Sequence, residues 1–345
     1  MKKSAYLIIF LFLTAIATGC HHQPDYGKHA NDPFANFDCL ADIVASRYCF
    51  FREKNIDWEA ECRAARARIS AETSSVDLFF IMSDLLDKLC DGHVNLVSKF
   101  NTSYYKKWWT DYPQDFNLRT LEEHYLNFGG LQTSGMRYCI MTTPDSIGYV
   151  YYPSFSAVVG ETNLDYVLAL LKDTRGLIID VRDNGGGLLT NVPTFVSRFV
   201  KEDITGGYIR HKTGPGANDF SDPYEITYSP CGPGRVGYYK PIAVLTNRSC
   251  YSAANNFVAV MKELPNVKIV GARTGGGGGL PFSSELPNGW AIRFSACPIT
   301  DARDNDTEFG IDPSEGCEVH CTPEELAAGK DAILDFALKL LSKPG

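Results

Sequence analysis

Leu177-Ile178-Ile179-Asp180-Val181-Arg182-Asp183-Asn184-Gly185-Gly186-Gly187 joins an unbroken aliphatic run to a charged turn and three glycines. A run of this kind without polar alternation reads as a strand buried on both faces, the form strands take in parallel sheets. The apolar pattern of Leu189 to Val200 then reads as a helix, so the local order is strand, glycine loop, helix. The order repeats downstream, where Ile242 to Thr246 is a strand, Asn247 to Tyr251 a turn and Ser252 to Leu264 a helix. Working outward, Ile147 to Tyr152 and Val267 to Val270 read as further strands, and Leu164 to Leu171 as a helix between strands. Such alternation predicts an α/β fold with crossover-connected parallel pairing and helices outside the sheet.

Upstream, apolar residues recur at helical spacing in three groups: Phe37, Leu40, Val44, Tyr48; Trp58, Cys62, Ala65, Ile69; Leu78, Met82, Leu85, Leu89. The third group opens with the capping-box pattern Ser74-x-x-Asp77. Its helix is expected to close at Asp91-Gly92, which places His93 at an element boundary, where side chains often serve function. Residues 36–96 are therefore expected to form a small helical subdomain, and residues 97–145 an irregular connector with a short hairpin. Gly206 to Tyr239, rich in Gly and Pro, reads as an insertion of loops and a ribbon. A last helix is expected from Thr322, with Pro323 at its first position, Glu325 completing a capping box, and Ile333, Phe336 and Leu340 on its apolar face.

The chain begins like an export signal over residues 1–19, with Lys2 and Lys3 before an apolar run from Tyr6 to Ala17 that is too short to span a bilayer. Ala17-Thr18-Gly19-Cys20 resembles a bacterial lipobox. The resemblance implies lipidation at Cys20, a tether over 20–35, and an exported protein held to a membrane of the cell envelope, in the periplasm or at the outer membrane, by an N-terminal lipid. The remaining stretch of about 310 residues is long enough for a sizeable core, and 44% hydrophobic with 21% charged residues is ordinary for a globular protein. A net charge of -8 and a pI near 5.4 provide no basic stripe for a phosphate backbone, so nucleic acid is excluded as an expected partner. Ten cysteines besides Cys20 could pair in an oxidising compartment, in a connectivity that spacing does not define. Cys317, His320 and Cys321 lie close together, but no CxxC partner completes a tetrahedral zinc site, and no metal is expected.

Two segments carry candidate chemistry. The glycine loop Gly185-Gly186-Gly187 leaves backbone N–H groups uncovered, which suits a phosphate, an oxyanion, or simply a tight turn. At the second turn, Ser252 opens a helix. It is either an N-cap or a nucleophile with the N–H of Ala253 aimed at an oxyanion on the attacked carbonyl. Cys250 is a rival nucleophile within the same turn.

Asp180-Val181-Arg182 through Gly187, Tyr251-Ser252-Ala253-Ala254, and Val270-Gly271-Ala272-Arg273-Thr274-Gly275-Gly276 resemble, in order, the motifs of the C-terminal processing (tail-specific) serine peptidases. Leu89-Cys90-Asp91-Gly92-His93 and the three helices before it resemble that family's N-terminal region. Two departures select a branch. Gly277 stands where tail-specific members carry their Lys base, and residues 97–145 are too few for the PDZ domain those members insert. The tricorn-core branch uses a His from the region of His93, oriented by a Glu from a segment that Glu308-Phe309-Gly310-Ile311-Asp312-Pro313 resembles. Asn255 occupies a position where the family often has Glu. The resemblance thus implies a crotonase/ClpP-like β-α spiral as the catalytic domain over 146–345, acting on peptide or protein substrates without a cofactor. It implies Ser252 as nucleophile, His93 as general base, Glu308 as its orienting carboxylate, and N–H groups of Gly186 and Ala253 as the oxyanion hole. A neutral imidazole is chemically suited to take the Ser proton and return it to a leaving amine. Two other readings are a catalytically silent lipoprotein that binds peptide in the same cleft, and an acyl-CoA enzyme, which the export signal disfavours. The sequence leaves the oligomeric state open.

Overall fold

Asp32 accepts hydrogen bonds from the N–H groups of Phe34 and Ala35, and Pro33 follows at the first position, so helix α1 (Pro33–Arg47) begins where both cap signals coincide. The computed structural model describes residues 32–141 and 146–342. Asp57 caps α2 (Trp58–Arg66) and Ser74 caps α3 (Ser75–Asp87), its Oγ accepting from the Asp77 N–H at 3.1 Å. The expected stop at Gly92 falls elsewhere: α3 ends at Asp87, and Cys90 takes the left-handed φ of 47°. Gly92 instead gives room to an indole, since a Cβ there would lie 2.5 Å from Trp108 Nε1 and 2.9 Å from the Tyr251 hydroxyl. That indole stacks on the Tyr251 ring with centroids 4.1 Å apart.

After β1 (Asn95–Val97), the stretch expected to be irregular contains short helical segments and a tight hairpin, β2 (Leu131–Thr133) and β3 (Met136–Met141). Thr133 pairs with Met136 across a two-residue turn in which Ser134 and Gly135 both have positive φ, the type whose twist matches a hairpin. There follow β4 (Ile147–Tyr151), α4 (Glu161–Leu171), β5 (Gly176–Asp180), α5 (Asn191–Val196), a ribbon of β6 (Ile204–Ile209) and β7 (Tyr224–Tyr228), then β8 (Ile242–Thr246), α6 (Ala253–Lys262) and β9 (Val267–Gly271). One sheet runs β2-β3-β4-β5-β8-β9, antiparallel up to β4 and parallel from β4 to β9. Successive side chains of a strand face opposite ways, so Leu177 and Ile179 pack with α4, α5 and α6. Ile178, with Ala243 and Leu245, packs on Ile333, Leu334 and Ala337. The central strands are thus buried on both faces, as their unbroken aliphatic runs require.

A second sheet corrects the expected architecture. β10 (Gly279–Glu285) and β11 (Ala291–Thr300) form a long antiparallel pair, and β11 also joins β1 and the β6–β7 ribbon. This is an α/β molecule of two sheets, one mixed and one antiparallel, and not a crotonase/ClpP-like β-α spiral. Strand and helix alternate only between β4 and β9, and even there the antiparallel β6–β7 ribbon interrupts them; the antiparallel elements on either side close no further spiral turn. Helices α1 to α3 share a core with this second sheet through Phe37, Leu40, Met82, Trp290, Ile292 and Phe294. The last helix is also divided, into α7 (Pro323–Ala327) with the expected capping box and α8 (Ala332–Ser342). The break falls at Gly329, where φ is 80° and a Cβ would lie 2.6 Å from the His124 ring.

Arg182 ties α8 to the sheet. Fully buried, it donates to Asp180 at 2.9 and 2.6 Å and to Asp331, just before α8, at 2.8 Å. Removing one side of such a pair strands the opposite charge in a low-dielectric core, at a cost of about 3–5 kcal/mol. Arg182→Met is expected to lower unfolding free energy by that amount in urea titrations; a loss under 1 kcal/mol would rule out this role.

Candidate active site

β8 ends at Thr246, and the chain turns through Asn247–Tyr251 into α6 with Ser252 at the corner. Ser252 has φ 56° and ψ -119°, a backbone state that costs a non-glycine residue about 1–3 kcal/mol and clusters at functional sites. Its side chain makes no capping bond, and its N–H donates to the Gly276 carbonyl at 2.8 Å. A strained turn between strand and helix presents a hydroxyl at the head of the sheet. His93 meets it there: Nε2 lies 2.9 Å from Ser252 Oγ. The two residues are 159 apart in the chain. Cys250 does not face the cleft; it is buried with Sγ donating to the Val181 carbonyl at 2.9 Å, and burial drives its thiol pKa far up.

The other ring nitrogen, Nδ1, lies 3.2 Å from Ser295 Oγ on β11. Asp91 accepts the His93 backbone N–H at 2.8 Å and the Tyr251 hydroxyl at 3.3 Å. Burial pushes the Asp91 carboxyl up, but the Lys54 ammonium, His93 and hydrogen bonds that include Ser295 outweigh it and hold it below the usual range. Glu308, expected on the imidazole, is engaged elsewhere. Its Oε1 accepts from Lys54 Nζ at 2.6 Å and its Oε2 from the Gly278 N–H at 2.9 Å. Lys54 Nζ also lies 3.9 Å from Asp91 Oδ2, so one buried ammonium stands between two buried carboxyl groups. Burial and the charge of Asp91 push Glu308 up to about 8, against the pull of Lys54. For His93, burial pushes the pKa down to about 4; Asp91 opposes this, while Arg293 and Lys54 add to it. The ring is therefore neutral at pH 7, the form able to accept a proton.

Gly186 crosses directly over the elbow: a Cβ on it would lie 2.8 Å from Ser252 Cβ and 2.9 Å from Ala253 N. Its N–H, however, donates to Asn184 Oδ1 at 3.0 Å. Among the described residues, no acceptor takes the N–H of Gly187 or of Ala253, and both residues line one cleft with Ser252. Asn255 braces the site from behind, accepting from Thr274 Oγ1 at 2.6 Å and donating to the Thr307 carbonyl at 3.0 Å. Gly277 lies against the Tyr251 ring, where a Cβ would come within 2.5 Å of Cζ, so no longer side chain fits there. Lys54, Ser295 and Arg293 carried no warning in the sequence. A lysine between two helices and single polar residues inside an apolar strand have no motif, and only tertiary structure brings them to His93.

A hydroxyl on a strained elbow, an imidazole in hydrogen-bond contact and free N–H groups beside both define the serine-type hydrolase class. The model of Peptidase family S41 matches residues 146–315. A crystal structure described as a candidate peptidase from Parabacteroides merdae is 44% identical, with a TM-score of 0.85, and the match covers 91% of this chain and 98% of that one. The chain belongs to peptidase family S41 and is by family a serine-type peptidase. The structure of mature CPAF shares the fold, with a TM-score of 0.68 over 90% of this chain and 96% of that one at 13% identity. Tricorn protease of Thermoplasma acidophilum is 26% identical over 64% of this chain. Carboxy-terminal processing protease CtpB of Bacillus subtilis is 28% identical over 44% of it. The matches span only 19% and 29% of those two proteins.

Proposed function

We propose that this protein hydrolyses peptide bonds through an acyl-enzyme on Ser252. The 2.9 Å contact between His93 Nε2 and the hydroxyl of the strained elbow carries the reading. Nε2 accepts the hydroxyl proton as Oγ attacks the scissile carbonyl, and then returns it to the leaving amine. With Nε2 as acceptor, Nδ1 carries the proton and donates to Ser295 Oγ, which fixes the tautomer. Asp91, kept ionised by Lys54, stabilises the imidazolium that forms. Glu308 acts one step further out, by holding Lys54 in place. Oxyanion charge falls to the N–H groups of Ala253 and Gly187, since that of Gly186 is already engaged by Asn184. Each such donor is typically worth about 2.7–4 kcal/mol in the transition state. Water then attacks the acyl-enzyme with His93 again as base.

The direct test is labelling of purified protein with a fluorophosphonate followed by peptide mapping. Modification at Ser252 is expected; an unmodified protein would favour a silent peptide-binding module on the same fold.

The proposed location is the cell envelope, with the protein exported and held by a lipid on Cys20. Residues 1–31, which carry that reading, lie outside the described residues, and among the described residues no helix is long and apolar enough to cross a membrane. A single thiol would carry the anchor, so Cys20→Ser is expected to lose the lipid mass and to leave the membrane fraction. Unchanged retention and mass in that variant would reject the anchor.

A further inference from the structure

Arg293 sits on β11 two residues before Ser295, so both side chains leave the same face of the strand toward the site. It lines the cleft that holds Ser252, a space of about 170 Å³ walled on the apolar side by Leu188, Leu189, Leu280, Pro281 and Ile299. A guanidinium has five N–H donors in a fork that matches a carboxylate. The one hydrogen bond the Arg293 guanidinium makes among the described residues is long, from Nη1 to the His93 carbonyl at 3.3 Å. No carboxylate among the described residues comes within 4.0 Å of it, whereas Arg182, Arg198 and Arg210 each hold one or more at close range. Arg248, likewise without an acid partner, is satisfied in another way. It donates to the carbonyls of Trp108 at 2.6 Å and Thr274 at 2.9 Å and lies over the Tyr112 ring. A half-buried cation left with open donors beside a nucleophile is arranged to receive an anion from the ligand.

We infer that Arg293 is a specificity determinant that binds a carboxylate of the substrate peptide in the Ser252 cleft. The inference rests on Ser252 being the nucleophile. The carboxylate has two sources, an acidic side chain at the residue supplying the scissile carbonyl or the free C-terminus of the peptide. Recognition is also coupled to catalysis. The ionisable groups around His93 are Asp91, Lys54, Arg293 and the Tyr251 phenol; of these, Arg293 and Lys54 depress the imidazole, after burial itself. A bound carboxylate neutralises Arg293 and so raises the His93 pKa toward its ordinary value, making the ring a stronger base only when the matching substrate is in place.

Two matched peptide pairs test this on the full-length wild-type protein: Glu against Gln at the position before the scissile bond, and a free C-terminal carboxylate against its amide. One pair is expected to show a kcat/KM preference of roughly 10- to 100-fold for the charged member, the usual weight of a charged hydrogen bond, and that pair names the source. Arg293→Gln should collapse the preference by the same factor, and Arg293→Lys should keep part of it. In the wild type, the acid limb of kcat should lie at higher pH for the charged peptide than for its neutral partner, a shift that a merely structural arginine would not produce. Equal kcat/KM within both pairs overturns the inference, as does a preference that survives Arg293→Gln. If that variant does not fold, the wild-type pairs decide alone. Fluorophosphonate labelling of the same preparations keeps the two questions apart: labelled Ser252 with no charge preference sinks only the role of Arg293, while absent labelling sinks the reading of Ser252.

Discussion

Ser252→Ala is expected to abolish covalent labelling and to lower peptide hydrolysis by at least roughly 10⁵-fold, the scale on which serine peptidases lose rate when the nucleophile is removed. The fold should survive, because the hydroxyl makes no capping bond and its loss removes only the contact with His93 Nε2. The backbone supplies an internal control. At φ 56° both Ser and Ala are strained, and glycine is not. Ser252→Gly should therefore be equally inactive but more stable than Ser252→Ala by about 1 kcal/mol in denaturant titrations. Finding Ala as stable as Gly would mean that the turn is not strained. If hydrolysis persisted in Ser252→Ala and vanished in Cys250→Ser, the nucleophile would be reassigned, although Cys250 donates its thiol into the Val181 carbonyl, away from the cleft.

What could be read from the sequence followed from burial. β5 and β8 are unbroken aliphatic runs because both faces of the mixed sheet are covered, and Gly186 passes so close to Ser252 that a side chain would collide with the elbow. Cap signals at Ser74 and Thr322 depend on neighbours three residues away and are equally visible. The second sheet was not legible. β10 begins inside a glycine run, carries Pro281 at a register shift and shows no clean alternation, because one of its edges borders the cleft. Strand and helix alternation found the parallel strands β4, β5, β8 and β9, but with β10 and β11 unseen nothing in the pattern opposed the spiral that the resemblance implied. The same gap hid the charge network. Glu308 has sequence neighbours that match a motif, but its partner Lys54 lies 254 residues away, and the serine on Nδ1 belongs to the strand that was missed. A motif locates a residue without saying which hydrogen bond it makes.

His93→Ala should lower kcat/KM by on the order of a hundredfold or more, the usual contribution of a positioned proton acceptor, while Ser252 remains in place to be labelled slowly. The pH profile provides the sharper test. An ordinary imidazole near 6.5 would give an acid limb through neutrality, but burial, with Arg293 and Lys54, brings His93 to about 4. Only the neutral ring accepts a proton, so kcat/KM should be nearly flat from pH 6 to 7, below the titration of Glu308, and fall on acidification through about 4. The sign for stability is the same. The unfolded chain binds a proton at this histidine near 6.5 and the folded chain does not, so the stability contributed by His93 is whole above 6.5 and is lost as pH falls toward 4. Glu308→Gln should cost less activity than His93→Ala, because the Glu308 carboxyl group reaches the ring only through Lys54 and Asp91. Lys54→Met should cost more than Glu308→Gln, since it leaves Asp91 buried and uncompensated beside the base. Near-normal turnover in His93→Ala would end the Ser and His mechanism, and an acid limb at 6.5 with uncharged peptides would mean that the ring is far more open to water than its 4% exposure implies.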